Sequence, residues 1–530
     1  MKEHVLFCVE EKDFCVKGVE VHSGLGKHSC TISEVFKPKN DLQLKRFIGQ
    51  AYIDKQPFYP ISKGNNWGYG YKSPASDGCI LLDMSEMNRI LNFDEELGVV
   101  EIEPGVTQGQ LAEYLKHSKW MLDCTGAGPD TSLVGNILER GFGHGPVGNR
   151  SRHFTISELI LSTGEVFGLN HSIRYCGRAG LSANLHELFT QNNIAVISKM
   201  KFELMLRPQS SLRCLVRLNS PNDLCEYIEI MRQLKSEGSI DGLPHLANSY
   251  RILTMMERFN FDKWDPSVGI SDHHIAPLCK KHGITPWSGA FLIAGTREVA
   301  KAKAKRVKKL LKPIAQVNIV SFNNLNRSNI LVQGAGKLFG RIALYRRLQN
   351  SLNDFTKMMD MFEGNPKDLA LKGCYWRYDG EIPEKMDPVI DGAGFFWIAP
   401  SLPMLGDEVE KCMRLTKQAF DKAGFEFGVT ITAVSPHMCQ AIISIYYNAN
   451  NSEETDKAAE LRQKLSSLYQ RYQWPCYRRS VDEMPFDSEH ELEPEALILR
   501  KRIKLALDTD NILAPGRYQM SNTYQIGEAK

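Results

Sequence analysis

The sequence predicts an α+β fold of two domains, followed by a C-terminal tail of short elements. Its 530 residues exceed what one hydrophobic core supports, since a domain usually holds roughly 100–200 residues. Up to about residue 210, short β-branched runs alternate with helical segments and glycine turns, which favours a mixed domain. Longer amphipathic helices follow, and short elements return from about residue 473. We therefore divide the chain into 1–210, 211–474 and 475–530.

Local patterns predict the elements of the first region. Helices are expected over 42–51 and 108–116, where the hydroxyl of Thr107 can accept an amide of the first turn. A further helical stretch is expected around 87–91. Runs rich in β-branched and aromatic residues between turn residues predict strands over 57–61, 78–83 and 98–103.

The second region alternates amphipathic helices with strands. Helical periodicity predicts helices over 299–311, 408–423 and 453–472. Apolar runs at 427–433 and 440–446 fit an antiparallel sheet with helices on one face. The basic run 301–309 is interpreted as the solvated face of a helix, because charge runs usually serve solubility.

Composition excludes several classes of function. The 65 Lys and Arg residues nearly balance the 62 Asp and Glu, and a net charge of +3 provides no strong field toward nucleic acid or membrane. The 13 cysteines show no metal-ligand spacing, so reduced thiols and no metal site are expected. The N-terminal apolar run is short and broken by acids, and no run approaches the ~18 apolar residues of a membrane span. A cytoplasmic protein is expected.

Two glycine-rich loops are the strongest candidates for a ligand site. The segment 60–70 places three glycines within seven residues, and 126–149 contains seven more. Successive backbone amides freed by glycine form a nest for an anion, such as a diphosphate. Either loop alone could equally be a set of tight turns. Neither reads Gly-x-Gly-x-x-Gly, and the imitation at 334–340 has its third glycine one position late, so it is interpreted as a loop.

Several segments, in order along the chain, carry a resemblance to a known family. They are 60–70, 81–84 with 87–89, 103–107, 133–141, 477–478 and 512–517. Through them the chain resembles the vanillyl-alcohol oxidase and 4-cresol dehydrogenase family of flavoproteins, as a divergent member. The resemblance implies an FAD-binding domain in 1–210, a substrate domain in 211–474, and a return to the FAD-binding domain in 475–530. It also suggests a homodimer or larger oligomer.

The resemblance further assigns residues to the cofactor. The first loop would wrap the FAD diphosphate, and the second would line the flavin neighbourhood, with Arg517 nearby. Amide donors and small side chains suit a phosphate and a flat ring. The cofactor-binding residues so implied are Ser62, Lys63, Gly64, Asn65, Asn66, Trp67, Gly68, Pro104, Thr131, Ser132, Gly135, Asn136, Gly141 and Arg517.

Three residues match a pocket for a phenolic oxygen in that family. Tyr69, Tyr477 and Arg478 would stabilise a phenolate by hydrogen bonding and opposite charge, and so lower the pKa of the phenol. An ionised phenol eases departure of a hydride from its para substituent to the flavin. The alternative is that both tyrosines are packed aromatics and Arg478 is a surface ion-pair partner.

The sequence departs from the family near the flavin. Asn149 stands where an Asp is common, so it cannot act as a base; His144 or His153 could replace that Asp, or be structural. No His or Tyr tether is found at Asn66 or at 394–395, which indicates non-covalent FAD. His28 is either a relic of flavin attachment or a polar contact.

The substrate chamber is also expected to differ. Cys439 and Gln440 replace a His pair of several family members, and His437 is displaced from the usual place. The residues at 376–378 with 396–397 form either an aromatic wall or part of the core.

Taken together, the sequence predicts an FAD-dependent oxidase or dehydrogenase that takes a hydride from a phenolic or benzylic small molecule. Oxygen or another acceptor would reoxidise the flavin. Three alternatives remain open. The same fold could oxidise a hydroxy acid, an amine or a natural-product intermediate, the chain could bind flavin without its own turnover, or the segment 334–340 could serve a nicotinamide-dependent enzyme.

Overall fold

The computed structural model describes residues 14–169, 173–177, 184–321, 360–485 and 494–519. Within them lie three main sheets and ten α-helices, and the α+β class is confirmed. The glycine segment 334–340 and the elements expected on either side of it lie outside the described residues. Every helix of the described segments is too short or too polar to cross a lipid bilayer.

Two sheets lie in the first 210 residues. Sheet one has the order β1-β2-β4-β3, with an antiparallel β1–β2 pair and parallel pairs between β2, β4 and β3. Its strands are β1 Phe14–Leu25, β2 His28–Phe36, β3 Phe58–Ile61 and β4 Ile80–Asp83. Sheet two is antiparallel, in the order β5-β6-β10-β8-β9. Its strands are β5 Ile90–Asp94, β6 Val99–Ile102, β8 Phe154–Ile160, β9 Val166–Gly168 and β10 Val196–Glu203; a separate pair joins β7 Trp120–Met121 to β11 Met205–Leu206.

Sheet three has eight strands, all paired antiparallel. Its order is β15-β12-β14-β13-β18-β19-β16, with β17 also paired to β19. The strands are β12 Ser210–Leu218, β13 His245–Asn248, β14 Trp287–Gly295, β15 Ala315–Ser321, β16 Ala393–Ile398, β17 Ser401–Pro403, β18 Gly428–Ala433 and β19 Met438–Asn448.

The α-helices divide between the two parts of the chain. Those of the first part are α1 Asp41–Ile53, α2 Gln108–Tyr114 and α3 Leu133–Leu138. Those that follow are α4 Leu224–Ser236, α5 Ser249–Met256, α6 Asp272–His282, α7 Arg297–Leu311, α8 Gly406–Ala423, α9 Ser452–Arg471 and α10 Pro494–Leu507. The basic run 301–309 falls in α7, whose buried face is Ala300, Ala304, Val307 and Leu311.

The largest core lies between sheet three and its helices. Leu246, Ile431 and Ala441 point from the sheet into a cluster that includes buried residues of α4, α7, α8 and α9. Because side chains alternate along a strand, the neighbouring His245, Thr432 and Gln440 point to the opposite face. Register pairs His245 with Thr432 and Thr432 with Gln440, so a polar row crosses that face.

Most predicted elements are confirmed, and one is wrong. The Thr107 hydroxyl accepts from the amide of Gln110 at 3.2 Å, as expected for a cap. The helix predicted around 87–91 does not form, because Ile90 begins β5 and pairs with Ile102. That pairing buries apolar surface, and this gain overrides the local helical preference.

The division of the chain into domains at 210/211 and 474/475 remains a proposal. It is supported by the position of Ser210, where sheet three begins, and by contacts of the C-terminal segment with sheet one. The amide of Phe58 donates to the carbonyl of Ile512 at 2.8 Å, and the amide of Ala514 donates to the carbonyl of Phe58 at 2.7 Å.

Candidate active site

The first glycine loop follows β3 and leaves its amides free. The amides of 63–66 donate no hydrogen bond to any residue that the structure describes. Asn65 Nδ2 donates to the carbonyl of Asp130 at 3.1 Å, which ties this loop to the second one. Gly68 has φ +72°, and a Cβ there would lie 2.7 Å from the ring of Phe395 on β16. Glycine therefore lets the loop pass close against sheet three.

The second glycine loop meets the first at α3. Ser132 caps this helix, since its Oγ accepts from the amide of Gly135 at 3.1 Å and donates to the carbonyl of Pro104 at 2.7 Å. A Cβ on Gly135 would lie 3.5 Å from the Oγ of Ser62. Thr131 Oγ1 donates to the carbonyl of Ala127 at 2.6 Å. The two predicted loops thus lie side by side.

Asn136 and Gly141 belong to the packing beneath this junction. A Cβ on Gly141 would lie 2.1 Å from Asn136 Oδ1, so only glycine fits there. Asn136 Oδ1 accepts from Arg150 at 3.0 Å, and Arg150 also donates to Gln108 Oε1 at 2.9 Å. Burial lowers the pKa of the Arg150 guanidinium, and the charge of Asp123 opposes that shift.

These residues fit FAD. A row of free amides on one loop faces a serine- and glycine-lined junction on the other, which is the donor set of a diphosphate cradle. Trp67 is turned elsewhere, since its Nε1 donates to Asp387 Oδ1 at 3.1 Å. It contributes to the core between the loop and sheet three.

A carboxylate joins the C-terminal return to the site. Glu139 accepts from Arg517 and from the hydroxyl of Tyr518, and Arg478 Nε lies 3.2 Å from Glu139 Oε2. Arg517 also donates to the hydroxyl of Tyr59 at 2.7 Å. Charge of Glu139 opposes the effect of burial on both arginines, and the pKa of each is raised. The guanidinium of Arg478 therefore remains charged inside the protein.

The three residues predicted to bind a phenolic oxygen come together. The guanidinium of Arg478 lies over the ring of Tyr69, 4.5 Å from its centroid, and donates to Asn66 Oδ1. The hydroxyl of Tyr69 is buried and interacts with the hydroxyl of Tyr477. The ring of Tyr477 lies 5.7 Å from that of Phe142. This trio, Tyr69, Tyr477 and Arg478, places two neighbouring hydroxyls next to a fixed positive charge.

Electrostatics in the trio favour hydroxyls over phenolates in the protein's own side chains. Burial, followed by the charge of Tyr477, raises the pKa of Tyr69 well above 10.0. Burial likewise raises the pKa of Tyr477, while the charge of Arg478 opposes the rise. Both tyrosines therefore remain hydrogen-bond donors at neutral pH, and a phenolate from outside would be the anion that Arg478 attracts.

The side chain of Asn149 is hydrogen-bonded to Ser151. Its Oδ1 accepts from the amide of Ser151 at 3.1 Å and from the hydroxyl of Ser151 at 2.7 Å, which caps a short 3₁₀ helix over Arg150–Arg152. The side chain is thus a local cap. His153 pairs with Glu203 at 2.8 Å and is about a third exposed.

His144 takes part in a contact that the sequence did not reveal. Its Nδ1 lies 2.6 Å from Nε2 of His245, and Nδ1 of His245 lies 2.8 Å from Oγ1 of Thr432. We call His144, His245 and Thr432 the imidazole relay. Burial, then the charge of Arg150, lowers the pKa of His144 to about 4. The pKa of His245 is also lowered, first by burial, so both rings are neutral at pH 7.

Sheet three supplies the wall between the trio and the imidazole relay. Trp397 packs edge-on against Tyr69 with centroids 5.9 Å apart, and it pairs in register with Ser444. Gln440 and Ser444 are 2% and 1% exposed. The Oε1 of Gln440 finds no partner within the described residues, whereas Ser444 interacts with the hydroxyl of Tyr446. A buried polar atom such as Gln440 Oε1 calls for a partner from outside these residues.

Of the five candidates for an aromatic wall, one reaches the trio. Trp397 does so, whereas Phe396 stacks on Tyr447 in the core on the helix side of sheet three. Arg377 is fully buried in ion pairs with Glu426 at 2.9 Å and Glu454 at 2.7 Å. Trp376 and Tyr378 pack with the Phe395 ring in the cluster that also holds Trp67.

The structure also places the other residues at which the sequence differs from the family pattern. Phe395 is in the core, and Gly394 packs against the ring of Tyr447, so neither offers a tether. His28 is near Asp77, and its Nδ1 is buried without a partner in the described part of the chain. His437 is exposed in the turn before β19.

Comparison with known proteins shows the relationships of this chain. The FAD binding domain family matches residues 32–170. The chain is 26% identical over 478 residues to the 4-cresol dehydrogenase [hydroxylating] flavoprotein subunit of Pseudomonas putida, which covers 87% of this chain and 83% of that protein. Over most of its length the chain is thus similar to a 4-cresol dehydrogenase flavoprotein. It is an FAD-dependent oxidoreductase, and FAD is its cofactor.

Other relatives extend this picture. A 1'-carboxy-chondrochloren decarboxylase from Chondromyces crocatus is 29% identical over 512 residues, covering 93% of this chain and 91% of that protein. A p-cresol methylhydroxylase structure with substrate bound has a TM-score of 0.80 at 23% identity, covering 94% of this chain and 90% of the other. A 4-ethylphenol oxidase from Gulosibacter chungangensis has a TM-score of 0.82 at 21% identity, with 94% and 92% covered. These two structures share the fold.

Two functional features escaped sequence reasoning. Glu139 lies in the motif 133–141 but carried no assigned role, although the Glu-Arg-Gly run beside a cofactor loop was a visible signal. His245 gave no signal, since it reaches His144 from 101 positions away.

Proposed function

We propose that this flavoprotein oxidises a para-substituted phenol or a 4-hydroxybenzylic alcohol. The observation that carries the proposal is the trio, in which a buried cationic guanidinium lies beside two protonated tyrosines. The phenolic oxygen would accept from both tyrosine hydroxyls and face Arg478. Hydrogen bonds to the charged form and an opposite charge both favour a phenolate.

The protein side of the mechanism follows from that arrangement. Arg478 is fixed by Glu139 and Asn66, so it needs no reorganisation when negative charge appears on the ligand. Tyr69 is held between Arg478 and Trp397, which fixes the direction of its hydroxyl. A ring anchored at its oxygen presents its para substituent away from the trio. Bound FAD supplies the acceptor for the hydride that leaves this substituent, and oxygen or another acceptor takes the electrons onward.

A second candidate is oxidation coupled to loss of carbon dioxide. It is favoured by the relative from Chondromyces crocatus, a decarboxylase that aligns over almost the whole chain. It is also favoured by the neutral imidazole relay and Gln440. These polar groups would not suit the apolar side chain of a simple alkylphenol. A natural-product intermediate that carries a phenol and a carboxyl group would suit both observations. Flavin binding without turnover is disfavoured, since the trio would then have no use.

Anaerobic mixing with a panel of phenols and aromatic alcohols tests the proposal. We expect the flavin absorbance to bleach with para-substituted phenols. Arg478→Ala should lower the reduction rate by about 100-fold, because a charge-assisted hydrogen bond contributes roughly 1.5–3 kcal/mol. The loss should grow for less acidic phenols.

Arg478→Lys keeps the charge and should recover part of the rate, and Arg232→Ala on α4 is the control for a general arginine effect. Should no phenol in the panel reduce the flavin, the proposal fails. An equal loss in Arg478→Ala for all phenols, whatever their acidity, would remove the role of Arg478 in phenolate stabilisation.

Non-covalent attachment of FAD is proposed on the absence of a His or Tyr tether at 394–395. Acid precipitation should leave a yellow supernatant, and a yellow pellet would show a covalent bond. The cytoplasmic location and the homodimeric or larger assembly stay predictions, for which cell fractionation and light scattering are the direct measurements.

A further inference from the structure

We propose that the imidazole relay and Gln440 form a subsite for a carboxylate on the side chain of the substrate. The inference rests on the proposed function, because it places the phenolic ring at the trio and asks what its para side chain meets. Sheet three runs from Trp397, beside the trio, through Ser444 and Gln440 to the relay. The para side chain of a bound phenol would lie along this wall.

The hydroxyl of Thr432 determines which ring nitrogens of His245 and His144 carry a hydrogen. Among the described residues its Oγ1 has one hydrogen-bond partner, Nδ1 of His245. A hydroxyl donates one hydrogen, and we assign that hydrogen to the Nδ1 of His245 because it is the one described partner of Oγ1. Nε2 of His245 then carries the ring hydrogen and donates to Nδ1 of His144. Neutral His144 must therefore carry its hydrogen on Nε2.

That last hydrogen has no acceptor in the described part of the protein. Nε2 of His144 is buried and unpartnered, 3.5 Å from the Cβ position of Gly126. Gln440, which is directly opposite Thr432 in the sheet, adds an amide group whose Oε1 is likewise unpartnered. An amide can turn its NH₂ toward an acceptor. Each of these two groups can donate to a ligand oxygen.

The charges around the relay favour an anion over a neutral acceptor. Lys235 acts on His245 and Arg150 acts on His144, each as a positive neighbour. Of the acids nearby, Asp123 accepts from the amides of Gly145 and Gly148 at 2.6 and 2.7 Å. It also offsets the charge of Arg150. Burial lowers the pKa of Lys235 to about 8, and Asp241, which also pairs with Lys303, opposes that shift. One carboxylate therefore serves two ammonium groups.

Two ligands of similar length test whether the protein prefers a carboxylate to an alkyl side chain. They are 3-(4-hydroxyphenyl)propanoate and 4-propylphenol, and their Kd values are measured by calorimetry on the FAD-loaded enzyme after chemical reduction, when no turnover occurs. We expect the propanoate to bind about tenfold more tightly at pH 7, as charge-assisted hydrogen bonds allow. The same order should appear in Kd values from anaerobic flavin reduction.

His144→Phe removes the donor but keeps a ring, and should abolish the preference while 4-propylphenol binds as before. Thr432→Val keeps the shape of the side chain but no longer fixes which ring nitrogens carry a hydrogen. The preference for the propanoate should therefore fall in part. His437→Phe, at an exposed histidine, should leave it intact.

Equal affinity for the two ligands in the wild type would overturn the inference, and so would an undiminished preference in a folded His144→Phe. If neither phenol binds or bleaches the flavin, the proposed function has failed instead.

Discussion

The two ends of the proposed substrate chamber use opposite electrostatics. At the trio, Arg478 and Arg517 share the carboxylate of Glu139, and full charges are held in the interior. At the imidazole relay, two histidines and a threonine are linked by hydrogen bonds, and burial keeps the rings neutral. The difference teaches that one protein interior can hold a polar site either by pairing full charges or by keeping titratable rings neutral.

Removing the shared carboxylate breaks the charged end and should have the largest effect. Glu139→Gln leaves two buried guanidinium groups without an anion, and breaking a buried ion pair typically costs about 3–5 kcal/mol. We expect a loss of that size in the free energy of unfolding measured in urea, together with weaker FAD retention on gel filtration. Glu113→Gln, which removes a surface pair with Lys116, should cost less than about 0.5 kcal/mol. Comparable losses in the two variants would contradict the central position of Glu139.

Lowering the pH should destabilise the protein through His144 of the imidazole relay. The pKa of His144 is about 4 in the folded protein, below its value of about 6.5 in an unfolded chain. Between these values the unfolded chain binds a proton that the folded protein does not, so stability falls as the pH falls from 6.5 toward 4. At pH 5 this contribution amounts to about 2 kcal/mol.

Urea unfolding at pH 7 and pH 5 measures that loss. His144→Phe removes the titrating group, so its stability should fall about 2 kcal/mol less than that of the wild type. His153→Phe, which changes a partly exposed histidine, serves as the control. Equal losses in wild type and His144→Phe would show that the relay does not titrate in this way.

Substitution of Asn149 tests whether a residue outside both ends affects the reaction, and should have the smallest effect. Asn149→Ala removes the cap on Ser151 and should cost about 1 kcal/mol in urea unfolding. Asn149→Asp keeps a capping oxygen, so stability should change by less than about 0.5 kcal/mol. Because that oxygen faces Ser151, the anaerobic rate of flavin reduction should stay within about threefold of wild type. A tenfold gain would show instead that this position still acts on the substrate.

Features that depend on nearby residues were predictable from the sequence. The glycine loops, the Thr107 cap and the helices at 299–311, 408–423 and 453–472 follow from spacing within one element, and each is present. The trio was predicted through the family resemblance, and the structure brings its three residues together.

Features that depend on sequence-distant contacts were not predictable. The 87–91 stretch has helical residues, but pairing of Ile90 with Ile102 decides its conformation. His144 and His245 meet because sheet three is folded against the second glycine loop, and nothing in either local sequence records that contact. Glu139 gained its role in the same way, from arginines that enter more than 300 positions later.

The C-terminal return also bears on how the protein is made. Phe58 takes both of its backbone partners from the segment around Leu513, and Glu139 takes its cations from Arg478 and Arg517. During synthesis, therefore, the first 210 residues emerge with an unpaired strand edge and a buried acid that lacks its counter-ions. Domains generally fold in the order of translation. The N-terminal region, however, lacks these contacts until the C-terminal segment has been made. The cofactor site is completed only after the segment around Leu513 has been synthesised, and until then the exposed strand edge is open to pairing with another chain.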